Sequence, residues 1–159
     1  MIARKLIDLI EKNSGPLAHG LLGTFRTTEK MADLSKIPAQ ELETRAFEVY
    51  RNLSDWLLNR TEEDIERRYV EIGRRRAQQG VALSHLLWAL IAVKRHLWDF
   101  LNREITTDQM LELQQEMELI RMVDRFFDLA LYYAARGYER ELALQEAVRA
   151  HGVAAPMRG

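Results

Sequence analysis

The chain has 159 residues, 47% of them apolar, which suffices for one domain with a real core and argues against disorder. Its 23 Lys and Arg nearly cancel 24 Asp and Glu to a formal net charge of −1, so no sequence-wide attraction to nucleic acid or an anionic membrane is expected. The absence of cysteine excludes disulfides, thiol redox chemistry, cysteine-ligated zinc and iron–sulfur clusters.

The first element, MIARKLIDLIEKN, spaces Ile2, Leu6, Leu9 and Ile10 as one face of a helix, and Asn13-Ser14-Gly15-Pro16 stops it. Asp8 and Glu11 lie within its apolar pattern and a small-residue cleavage site is missing, so it does not read as a secretory signal. No run approaches the ~18 apolar residues of a membrane span, and the reading is a soluble, cytoplasmic protein. Residues 17–37 predict a short helix and a loop, with Leu17, Leu21, Leu22 and Phe25 buried. From about Pro38 to Asn59 the stripe Leu42, Ala46, Val49, Tyr50, Leu53, Trp56 and Leu57 predicts one amphipathic helix. Thr61 followed by Asp64 resembles an N-cap, and Gly80 suits the stop of a helix over 62–79 whose buried face is Ile65, Tyr69, Ile72, Gly73 and Ala77.

Residues 82–104 are apolar nearly all round at first, which marks the most central helix. Thr106 and Gln109 form a capping box that opens a helix with nothing to break it before Gly152. At ~1.5 Å per residue such a helix reaches about 60 Å or more, so part of it must project or meet a partner. Alternating apolar patterns are missing, and the fold class is all-α, a bundle of five or six helices with a long C-terminal helix. Residues 1–151 read as a single domain and 152–159 as a flexible tail.

The chemically suggestive residues are few. His85 and His96 lack the ExxH or HExxH spacing of helix-borne metal sites, and the reading is of satisfied, partly buried histidines, with Asp99 as partner to His96. Arg74, Arg75 and Arg76 could grip phosphate, but acidic neighbours at helical spacing make a solvated face the better reading. GxSxG, GxGxxG and GxxxxGK[ST] are all missing, so no catalytic or cofactor-binding residue is assigned and an enzyme is not expected. On the long helix Phe126, Leu129 and Tyr133 lie along one line and Phe127, Leu131 and Ala134 along another. Two apolar faces suggest one for the core and the second, Phe127, Leu131 and Ala134, for a homodimer contact.

The run GRRRAQQGVAL, Gly73 to Leu83, followed by Ala89-Leu90 and Arg95-His96-Leu97-Trp98-Asp99-Phe100, resembles the N-terminal sensor domain of RsbR-type RsbT co-antagonist proteins, the stressosome subunits and related regulators. The similarity covers roughly residues 40–145. It implies a globin-like helical fold without haem that dimerises through its terminal helices and signals into an output domain or a separate downstream regulatory protein. Residues 39–79 contain no histidine, and His85 and His96 would sit on the wrong helix for axial haem ligation, so no cofactor is expected. The segment after His151, GVAAPMRG, is too short for an output domain, which leaves either a piece of a longer regulator or a freestanding domain.

The leading expectation is therefore a non-enzymatic sensor domain, with Gly137 as a flexible point and residues 138–151 as the transmitting segment. The alternative is a small-molecule pocket between helices 82–104 and 106–151, lined by Trp88, His96, Trp98 and Tyr133.

Overall fold

The computed structural model describes residues 2–115 and 117–154, and every regular element among them is helical. Helix α1 (Ile2–Lys12) buries Ile2, Ala3, Leu6, Ile7 and Ile10, and the Asn13 side chain donates to the Leu9 carbonyl at its end. The chain turns at Asn13 and at once re-enters a helix, α2 (Ser14–Thr27). Pro16 does not prevent this, because it occupies the first turn, where a backbone N–H has no intrahelical acceptor to lose. Leu17, Leu21, Leu22 and Phe25 are buried as expected, but the region is more helical than the predicted helix and loop: a 3-10 segment, Glu29–Lys36, follows and buries Met31 and Leu34.

Helix α3 (Ala39–Arg51) begins directly after Pro38. The stripe that predicted one helix to Asn59 is interrupted at Asn52, whose side chain turns back onto the Glu48 carbonyl, and the chain resumes as a π turn, Asp55–Asn59. Helix α4 (Glu62–Gln78) opens on the reciprocal capping box of Thr61 and Asp64 and ends at Gly80, whose φ of 75° is left-handed. Helix α5 (Leu83–Glu104) touches α1, α2, the 3-10 segment, α4 and α7, as its all-round apolar pattern predicts.

The Thr106–Gln109 capping box is formed. After it come α6 (Thr107–Gln115) and α7 (Met117–Ala154), on either side of residue 116, which lies outside the described residues. Their partners differ: α6 lies on α1, whereas α7 lies on α4 and α5. The described residues are all-α with a long C-terminal helix, as expected, and a 3-10 segment and a π turn, both short, are added to the helices that the sequence announces. The end of the expected tail, residues 155–159, lies outside the described residues, and α7 continues three residues past His151.

Candidate functional site

The most extensive helix pairing is α4 with α7. The two run in the same direction: Tyr69 meets Phe126 with ring centroids 5.8 Å apart, Gly73 lies on Ala134, and beyond the end of α4 the Tyr138 hydroxyl donates to the Val81 carbonyl at 2.6 Å. Two glycines set how close they come. A Cβ on Gly73 would stand 1.9 Å from the Ala134 carbonyl oxygen, and one on Gly137 would stand 2.0 Å from that of Val70. Gly137, expected to be a flexible point, is therefore a backbone-to-backbone packing point.

Between Tyr138 and His151 no residue of α7 is buried. Leu142, Leu144 and Val148 are exposed, Val148 at 70%. Gly137, Leu144 and Val148 are spaced seven and four apart, so they follow one line down the helix. The face that packs on α4 within the body thus continues, apolar and uncovered by the described residues, past the end of α4. The face expected to dimerise is another matter. Phe127 and Ala134 are fully buried in the chain's own core and Leu131 is half-buried, because α7 packs on α4 along one side and α5 along another and both apolar lines are used internally.

The four residues expected to line a pocket do not converge. Trp88 is half-buried, with the Lys30 ammonium 4.2 Å and the Arg95 guanidinium 4.9 Å from its ring centre. His96 stands eight residues on; its Nε2 lies 3.1 Å from the Leu17 carbonyl oxygen, and burial holds its pKa below the ordinary value. The Leu17 carbonyl, not Asp99, is its hydrogen-bond partner. Trp98 is half-buried against the core. Tyr133 points elsewhere, donating to Glu62 at 2.7 Å, and that carboxylate pushes its pKa up to about 12. His85 accepts from the Asp33 backbone N–H at 3.1 Å while Asp33 accepts from the Ala82 N–H at 2.8 Å, tying the 3-10 segment to the start of α5. Among the described residues no group of three or more His, Asp or Glu could hold a metal ion.

The arginine run divides three ways. Arg74 pairs with Glu71 on its own helix, and Arg75 reaches across to Glu41 of α3, both at the surface. Arg76 is not part of a solvated face, since it is 4% exposed. Its Nη1 donates to Glu41 at 2.9 Å and to Gln79 at 2.8 Å, and burial lowers its pKa. Glu41 is held down at about 2, first by the Arg75 hydrogen bond and then by Arg76, with burial opposing. Arg45 and Arg68 both pair with Glu48 close by. Sequence reasoning missed Arg76, although its helical phase was readable: it falls three, seven and eleven residues after Gly73, Tyr69 and Ile65, on the buried stripe.

Beside Arg76 lies an apolar slot of about 70 Å³ between the 3-10 segment, α3, α4 and α5, walled by Leu34, Leu42, Ala46, Ala89, Val93 and Phe127 and edged by Arg45, Tyr69 and Arg76. Phe25, Leu34 and Leu42 separate it from an open groove of about 680 Å³ against α2.

These features define an all-α domain built on a close parallel helix pair whose second member runs on beyond the body. The chain belongs to the family of RsbT co-antagonist protein rsbRD N-terminal domains, whose model matches residues 16–151. No curated protein and no solved structure matches it significantly.

Proposed function

We propose that this chain is a stressosome-type sensor domain that works without catalysis, as a cytoplasmic homodimer of globin-like arrangement lacking haem, and passes its signal to a downstream regulatory protein through α7. Family membership supports the sensor reading. No described helix is long and apolar enough to cross a membrane.

The observation that carries the mechanism is the continuation of the α4-packing face of α7 as Leu144 and Val148, uncovered by the described residues. A second α7 laid along this line covers them in both copies. Four such side chains contribute ~1.5–3 kcal/mol each when fully buried, against an association cost of ~4–15 kcal/mol. The total gain of about 6–12 kcal/mol and this cost nearly offset, so the pairing is weak, about micromolar at its tightest, and a small bias shifts the two helices against each other. Light scattering across tens of micromolar tests it: a mass approaching twice the 18.6 kDa chain is expected, and a monomer throughout would sink the dimer.

A further inference from the structure

We propose that the slot beside Arg76 binds a small aliphatic monocarboxylate, its tail among Leu34, Leu42, Ala46 and Ala89 and its carboxylate on the Nε–Nη2 edge of Arg76. This site stands whether or not α7 pairs with a second copy.

Arg76 carries the argument. It is 4% exposed, yet only its Nη1 has acceptors, Glu41 and Gln79; Nε and Nη2 have none among the described residues. A buried guanidinium with idle donors is a costly arrangement, and buried polar groups ordinarily find partners. The idle edge presents two parallel N–H groups, the fork that matches a carboxylate. Tyr69 edges the same slot, is 2% exposed, and its hydroxyl likewise has no hydrogen-bond partner among the described residues.

Charge and shape narrow the ligand. Arg45, Arg68, Arg74, Arg75 and Arg76 outnumber Glu41, Glu48 and Glu71 among them, so this corner carries local positive charge that a monoanion would reduce. The other walls are aliphatic or aromatic carbon. A bare inorganic anion would leave them empty, and a neutral hydrocarbon would leave the guanidinium edge unmatched. About 70 Å³ takes the first three or four carbons of a tail, and a longer tail extends past Phe25, Leu34 and Leu42 into the adjoining groove, which is also the entry path.

Titration of the full chain with butanoate, hexanoate, hexan-1-ol and inorganic phosphate, followed by calorimetry and backbone amide NMR, tests the assignment. Hexanoate is expected to bind saturably, roughly tenfold tighter than butanoate as two further methylenes are buried, and to move the amide signals of Leu34, Leu42 and Ala89. Hexan-1-ol and phosphate should each bind at least tenfold more weakly than hexanoate. Arg76→Gln and Ala46→Leu, the second filling the slot while leaving the guanidinium in place, should each weaken hexanoate about tenfold or more. If Arg76→Gln does not fold, Ala46→Leu with its helical circular dichroism intact decides the matter. No saturable hexanoate binding, equal binding of hexan-1-ol or phosphate, or a folded Ala46→Leu protein that binds hexanoate as wild type would overturn the proposal.

Discussion

Gly137 of α7 rests on the backbone of Val70 in α4, so close that a methyl group added to it would overlap the Val70 carbonyl, carbonyl carbon and Cα together. Because the obstacle is backbone, no rotamer change relieves it. Alanine in place of a mid-helix glycine gains about 1 kcal/mol of helix propensity, but prising apart the best-packed pair in the molecule costs more. Gly137→Ala and Gly73→Ala are each expected to lower stability by about 2–4 kcal/mol net, read from urea midpoints at unchanged slope. A stabilised Gly137→Ala protein would mean that the helices are not held this close in solution.

The Glu41 carboxylate should make the fold acid-sensitive in a definable window. Its pKa is lowered from 4.5 to about 2, so its contribution is complete above pH 4.5 and is lost as the pH falls from there towards 2. Allowing for solvent screening of the exposed Arg75 side, that contribution is about 1–2 kcal/mol. Glu41→Gln leaves Arg76 buried beside a neutral partner, and should cost about 2–3 kcal/mol at pH 7 while flattening the loss between pH 4.5 and 2. Denaturant unfolding at pH 7 and pH 3 for both proteins gives the comparison; equal pH dependence would contradict it.

Two buried tyrosine hydroxyls should differ in value. Tyr50 donates to the Val93 carbonyl at 2.9 Å inside α5, whereas Tyr138 donates to Val81, whose carbonyl lies in the α4–α5 connection and has no other partner among the described hydrogen bonds. Tyr50→Phe should cost about 1 kcal/mol and Tyr138→Phe about 1–3 kcal/mol, since the latter strands a buried acceptor. Tyr138 is also the last buried anchor of α7 up to His151, so its variant should raise amide hydrogen exchange over residues 138–151 more than elsewhere. A larger loss from Tyr50→Phe would reverse the assignment.

Much of the fold was legible because it depends on local signals. Both capping boxes, Gly80 as a helix stop, and the stripes Ile65–Ala77 and Leu17–Phe25 follow from spacing and residue type. Long-range partners were less legible. Gly137 looked like a weak point because a lone glycine in a helix says nothing of the backbone pressed against it. That α6 lies on α1 while α7 lies on α4 and α5 could not be read from spacing alone. Phe127 and Ala134 read as a spare face because sequence gives the width of an apolar surface without saying how many neighbours share it. Trp88, His96 and Trp98 share a helix, but at offsets of eight and ten residues they point in different directions.

The central claim is that α7 pairs with a second α7 along Leu144 and Val148. The sequence contains no cysteine, so Leu144→Cys or Glu146→Cys introduces the single thiol of each protein. Mild oxidation at micromolar concentration is the most direct measurement. Leu144→Cys is expected to form a disulfide-linked dimer rapidly and Glu146→Cys, two residues round the helix, to do so at least about tenfold more slowly, as side chains meet across a helix seam ~8–10 Å wide. Equal rates at the two positions, or no cross-link at Leu144→Cys, would contradict it.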